Sequence, residues 1–181
     1  MNAFELLKLK PALIIDSDAI SQAFCDAAKQ HHPDQGGDTE RFNEIRAARD
    51  LLCSPSRRLK EWLRIHQIEV DPRGTVDATI MDLFSCIGEL SQRCEALAKK
   101  REATLTRLAL AMLENETQLL REELEKTIQM VTDAIARECE SFTQIEQEGP
   151  SVADQAGRVF RNLSFLEKWL RSMQSARTRM L

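Results

Sequence analysis

Tyrosine is absent from this chain, and glycine and proline are scarce, at 6 and 5 of 181 residues. That leaves little material for a turn-rich β architecture, and no period-two apolar alternation supports strands. There is no low-complexity segment and no internal repeat. Net charge is only −4, which argues against a nucleic-acid binder that relies on global positive charge. No apolar run approaches the ~18 residues needed to cross a bilayer, so no membrane is expected. Met1-Asn2-Ala3-Phe4-Glu5 lacks a basic region followed by an apolar core, so no secretory signal is expected either. The five cysteines, Cys25, Cys53, Cys86, Cys94 and Cys139, are odd in number and contain no CxxC pair. Joined with His31, His32 and His66 they match no recognised zinc-ligand spacing, so no metal or other cofactor is expected. Reduced, buried thiols in a soluble, cytoplasmic protein are the expectation.

What is abundant is Ala, Leu, Glu, Arg and Gln, the helix formers. With 43% hydrophobic and 30% charged residues the chain can bury a core, as one compact domain or two small ones. The predicted fold is all-α. Phe4, Leu6, Leu7 and Leu9 allow one or two helical turns before Pro11. Asp16-Ser17-Asp18 caps a helix carrying Ile20, Phe24 and Ala27 to about His31. A third helix runs from about Thr39 to Cys53 on Phe42, Ile45, Ala48 and Leu52. Ser54-Pro55-Ser56 ends it and starts a short fourth with Leu59, Trp62, Leu63 and Ile65.

Between the second and third helices lies Lys29, then His32-Pro33-Asp34-Gln35 and Gly36-Gly37-Asp38. Proline donates no backbone hydrogen bond and turns the preceding residue away from the helical region, so the helix should stop near His32. Two glycines permit a tight return, and Asp38 or Thr39 can cap the third helix. The outcome is a helix–loop–helix with a histidine and an aspartate at its tip.

Asp71-Pro72-Arg73-Gly74 is the expected domain boundary. The chain then reads as residues 1–70, a linker at 71–76, and a second domain over 77–181. Ile80, Leu83, Ile87, Leu90, Cys94 and Leu97 recur at 3,4 spacing, and the seam resumes with Leu105, Leu108 and Met112. Asn115-Glu116-Thr117 is the expected turn, with Lys99–Arg101 the other position for it. Leu120, Leu124, Ile128, Val131, Ile135, Cys139 and Phe142 form the next stripe. Glu148-Gly149-Pro150-Ser151 breaks the chain, and Val152, Ala156, Val159, Leu163, Leu166, Leu170 and Met173 come after it. Three stripes and two turns predict an antiparallel three-helix bundle, each helix about 25–35 residues long.

The first seventy or so residues resemble a J-domain, the module of DnaJ-type co-chaperones. The resemblance rests on His32-Pro33-Asp34, Gly36-Gly37-Asp38, Phe42-Asn43-Glu44-Ile45-Arg46-Ala47-Ala48, Leu51-Leu52 and Ser54-Pro55-Ser56-Arg57-Arg58. Leu59-Lys60-Glu61-Trp62-Leu63-Arg64-Ile65-His66 and Val159–Lys168 look like helices of HscB, the iron–sulfur assembly co-chaperones. The order of parts, a J-domain followed directly by a helical bundle, is similar too.

The resemblance implies that the chain performs no chemistry and instead stimulates ATP hydrolysis by a DnaK- or HscA-type chaperone. His32, Pro33 and Asp34 would form the contact loop, with Asp34 engaging an arginine of the chaperone. Lys29, Gln35, Arg46 and Arg49 would complete that surface. Gln35 stands where lysine is common, and the basic residues have moved to Arg41, Arg46, Arg49, Arg57 and Arg58. This implies a weakened electrostatic contact or a specialised chaperone. The bundle would hold an IscU-like iron–sulfur scaffold through Leu83, Phe84, Ile87 and Phe165. Gly88 and Ser91 occupy places where that family has carboxylates, and Glu95 keeps one. Phe84 and Phe165 lie off the 3,4 seams and can face outward.

Other readings stay open. The four apolar residues also fit a bundle core, and the arginines a solvated face with helical ion pairing. The client could be different or general, or the chain could be a helical scaffolding protein whose loop is inactive. Catalysis by His32 and Asp34 finds no nucleophile, metal spacing or phosphate-binding glycine loop beside them.

Overall fold

Helix boundaries coincide with the capping residues. The computed structural model describes residues 1–31, 37–71 and 73–179, and all regular structure among them is helical. Asn2 and Glu5 form a reciprocal capping box at the start of α1 (Ala3–Leu6). The Asp16 carboxylate accepts from the Asp18 amide at 3.0 Å and opens α2 (Ser17–His31). Asp38 does the same for Glu40 at 2.9 Å at the head of α3 (Thr39–Leu52). Ser54 accepts from Arg57 at 3.4 Å, with Pro55 in the first turn of α4 (Pro55–Ile65). α1 and α4 close through residues with positive φ that are not glycine, Lys8 at 55° and Gln67 at 56°. There Leu9 and Ile68 donate back to Phe4 and Leu63, at 2.9 and 3.0 Å.

Chain contacts separate two units, Met1–Gly74 with Glu138–Ser164, and Thr75–Arg137 with Phe165–Leu181. In the first, α2 and α3 form a hairpin over α1. Phe4, Leu7, Ile20, Ile45, Ala48 and Leu52 are its buried centre. The later segment, which includes α7 (Phe142–Glu148) and the 3₁₀ turn Gly149–Val152, joins it through polar and aromatic contacts. The Leu13 amide donates to the Glu146 carboxylate. The Arg58 guanidinium lies 5.9 Å from the centre of the Phe142 ring, and Arg161 donates to the Asp71 carbonyl at 2.5 Å. Phe142, Val159 and Leu163 continue the bundle stripes in sequence, yet belong to this unit.

The second unit is a three-helix bundle of α5 (Ala78–Glu102), α6 (Arg107–Glu140) and α8 (Ala153–Arg179), each present over its share of the unit. Arg93 meets Glu123 at 2.7 Å and Lys100 meets Glu116 at 3.2 Å. Residue numbers rise on one helix as they fall on the other, so α5 and α6 are antiparallel. Ile87, Leu90, Cys94, Leu113, Leu120, Leu124, Val131, Leu166, Trp169 and Met173 lie in the core.

Four expectations are corrected. The first turn falls at Ala103–Thr106, not at Asn115–Thr117. Thr117 is instead fully buried mid-helix, donating to the Leu113 carbonyl and accepting from Arg101, both at 2.8 Å. A hydroxyl with both roles filled inside the helix leaves no reason for the chain to break there. Helix α6 ends at Glu140, before Gly149, whose φ of +55° closes α7. Leu105, Leu108 and Met112 are not on the buried seam, being 96, 76 and 75% exposed; the seam starts at Leu113. On α8 it is Trp169, with Leu170 only half-buried beside it.

The thiols also differ from expectation. Cys25, Cys53 and Cys86 are exposed, Cys139 is half-buried and Cys94 alone is buried. Burial raises the pKa of Cys94. No helix among the described residues is long and apolar enough to cross a membrane.

Candidate functional site

Two surfaces carry the residues singled out in the sequence, one on each unit. His32, Pro33, Asp34 and Gln35 lie outside the described residues; the helices that bracket them are described. Gly37 sits so close to the end of α2 that a Cβ there would collide with the backbone of His31. Backbone cannot yield as a side chain would, so glycine is required at this return.

Lys29, in the last turn of α2, is exposed and lies 3.5 Å from Asp26. Asp26 also accepts from Gln22 at 3.0 and 3.1 Å. That bond first, and Lys29 second, hold its carboxyl below the ordinary value. Arg49 bridges the hairpin, its guanidinium 4.7 Å from the centre of the Phe24 ring. It also bonds Asp50 at 2.6 and 3.0 Å, which raises its pKa.

Other basic residues are engaged locally. Arg41 pairs with Glu44 at 2.7 Å. Arg57 and Arg58 donate to the Asp50 and Leu52 carbonyls at 2.6 and 2.7 Å. These carbonyls belong to the end of α3, where no intrahelical donor remains, so the two arginines serve that helix terminus. Arg46 is exposed and makes no ion pair among the described residues. Of the arginines on α3 and α4 it is the one whose charge is uncommitted among the described residues.

The second surface lies on α5 and α8. Phe84 is 47% exposed and Phe165 43%. Both rings meet Trp169, at centroid distances of 5.3 Å (stacked) and 5.9 Å (tilted). Trp169 itself is buried, so it forms the floor and the two phenylalanines the walls of an aromatic cluster. Leu83 is half-buried against the core, and Ile87, at 4% exposure, is a core residue. Ile87 therefore supports the patch from beneath and is not part of its surface, a correction to its expected role. One turn beyond Phe84 stands Gly88, where a Cβ would touch nothing. Ser91 and Glu95 continue the same helix and line a narrow groove against Ser172, Ala176 and Arg179.

Trp169 was not among the candidate residues. Its spacing of four from Phe165 was the available signal, since residues i and i+4 share a helix face.

Residues 2–60 match the DnaJ domain family model, described as "DnaJ domain". These residues form a DnaJ-type domain. A 41-residue stretch of the chain is 44% identical to DnaJ protein homolog 1 of Allium porrum. That match spans 10% of the relative's length and 23% of this chain. Chaperone HscB from Vibrio cholerae superposes over 100% of both chains, with a TM-score of 0.57 and 20% identity. The chain thus has an HscB-like, all-helical fold. Human co-chaperone protein HscB aligns more loosely, with a TM-score of 0.48 and 15% identity over 94% of this chain and 81% of its own.

Proposed function

We propose that this J-domain protein is a co-chaperone of an Hsp70-type ATPase, DnaK- or HscA-like, and that it delivers a client held on the bundle. The observation carrying the first half is the family match over residues 2–60, which includes the whole His32-Pro33-Asp34 segment. A loop offering a rigid proline, an acceptor carboxylate and an imidazole suits docking against a cationic partner. Lys29, Arg46 and Arg49 flank it on the hairpin. In this reading the chain does no chemistry; hydrolysis occurs on the chaperone. A cytoplasmic setting belongs to the same reading.

The client is an IscU-like iron–sulfur scaffold, docked on Phe84 and Phe165 over Trp169. An exposed aromatic pair on a rigid floor is a suitable anchor. A different client is the second reading, favoured by Gly88 and Ser91. They leave Glu95 as the nearest carboxylate along that face, so a strongly basic client surface finds little opposite charge.

Single-turnover ATP hydrolysis by a DnaK-type chaperone tests the first half. Native protein is expected to accelerate it and His32→Gln to abolish the acceleration; equal rates from both would leave a helical scaffolding protein with an inactive loop. Co-purification with an IscU-like scaffold tests the second half. A scaffold that does not bind at micromolar concentration refutes the iron–sulfur client and leaves the chaperone contact standing.

A further inference from the structure

At the start of α6 the bundle presents an apolar stripe that no part of the described structure covers. Leu105, Leu108, Met112, Asn115 and Leu119 succeed one another at 3,4,3,4 spacing, the a/d repeat of a coiled-coil seam. Leu108 and Met112 are 76 and 75% exposed, and Leu119 is 59% exposed. Leu105, in the turn just before the helix, is 96% exposed. Together they form a patch on the order of 500 Å², a size at which apolar surface marks an interaction site. The opposite face of the same segment is already used, since Leu113, Thr117 and Leu120 are buried in the bundle. The stripe is therefore additional to the core, not a loose part of it.

We infer that this stripe is a homodimer interface, in which α6 of one copy packs antiparallel on α6 of a second. Charge selects this occupant and this direction. Arg107, at the head of the stripe, is exposed and has no acidic partner among the described residues. Glu122, at its foot, is exposed and among the described residues accepts only from the neutral amide of Gln118, at 2.9 Å. Antiparallel pairing about a twofold axis between Leu113 and Glu114 sets Leu108 against Leu119 of the other copy. It also brings Arg107 toward Glu122 of the other copy, twice by symmetry. Parallel pairing would instead align Glu122 with its own copy and repel, and Arg107 with its own copy likewise.

The residues beside the stripe fit the same arrangement. Ala109 and Ala111 let two helices approach closely. Glu116 is drawn aside into its pair with Lys100, at 3.2 Å, which keeps it off the seam. Leu119 also borders a groove of about 410 Å³ lined by Arg93, Ala96 and Lys100, which can receive side chains from the second helix. Patch and flanks together approach the ~800 Å² per partner of an ordinary stable interface.

Sedimentation equilibrium of the full chain, from about 1 to 100 µM, reads the association directly. A concentration-dependent dimer is expected. Leu108→Glu is expected to raise its dissociation constant by at least about a hundredfold, since it sets an unpaired carboxylate against Leu119 of the other copy at both ends of the interface. Arg107→Glu should weaken the dimer, and the double variant Arg107→Glu with Glu122→Arg should restore it. Far-ultraviolet circular dichroism should show unchanged helicity, because all three sites are exposed. A native chain that stays monomeric throughout overturns the inference. So does a dimer untouched by Leu108→Glu, which would lie on another face. A monomer whose Leu108→Glu variant loses a bound client overturns it in favour of a heterologous partner.

Discussion

The first unit has most of its expected contact residues in one short segment, His32 to Gln35 with Lys29 a turn before, and adds Arg46 and Arg49 from the next helix. The second collects Phe84, Phe165 and Trp169 from two helices far apart in sequence. The first needs only a hairpin whose ends are capped by Asp16 and Asp38 and whose return passes His31 at Gly37. The second exists only when α5 and α8 are packed, because its floor is a buried tryptophan. A contact borne by a segment can therefore be separated from stability by mutation. One borne by a face is coupled to it.

The largest effects test whether the two units are comparably built. Leu124→Ala, in the bundle, and Leu52→Ala, in the hairpin, each remove a side chain at 1% exposure or less. Each is expected to cost about 2–5 kcal/mol, measured by urea unfolding. Two transitions, each moved by only one substitution, would sharpen the division into units; a single shared transition would break it.

Next in size, Trp169→Ala should cost about 3 kcal/mol of stability, and Phe84→Ala, half-exposed, about 1 kcal/mol. Both should weaken binding of a patch-directed client at least about tenfold, read by titration calorimetry. If Phe84→Ala proved the more destabilising of the two, the floor-and-wall description would be wrong.

Smaller again is Arg49→Ala. It removes a cation–ring contact and a partly exposed ion pair, and should lower hairpin stability by about 0.5–1 kcal/mol. High salt should reduce the ion-pair part of that difference.

The smallest concerns Glu61, whose carboxyl is held below its ordinary value of 4.5 by the Arg64 guanidinium first and the Ala3 amide next. A carboxyl depressed in the folded state binds fewer protons there than in the unfolded chain. Its contribution is present above about pH 4.5 and fades as pH falls through the lower folded value. Glu61→Gln should therefore lower the urea midpoint slightly at pH 7 and not at pH 3. An equal loss at both would mean that charge plays no part.

Much of the first unit was legible because its signals are local. Asp16, Asp38, Ser54 and Pro55 act on amides within three residues, so the sequence shows the cap and the helix together. Residues whose role depends on a distant partner were harder to read. Leu108 and Met112 keep the helical period yet face outward, because a 3,4 repeat defines a face without saying what covers it. Thr117 looked like a turn residue beside Asn115 and Glu116 until its hydroxyl found partners on both sides.

By itself the sequence determined the all-α class, the capped hairpin around His32-Pro33-Asp34, and the DnaJ-type identity of residues 2–60. Each depends on interactions within a few residues or on a contiguous motif. Only the tertiary structure decided that Glu138–Ser164 joins the first unit, that Ile87 is core, and that Trp169 underlies Phe84 and Phe165. An amphipathic stripe states how much apolar surface must be covered, whereas its partner is chosen by packing among all the stripes at once.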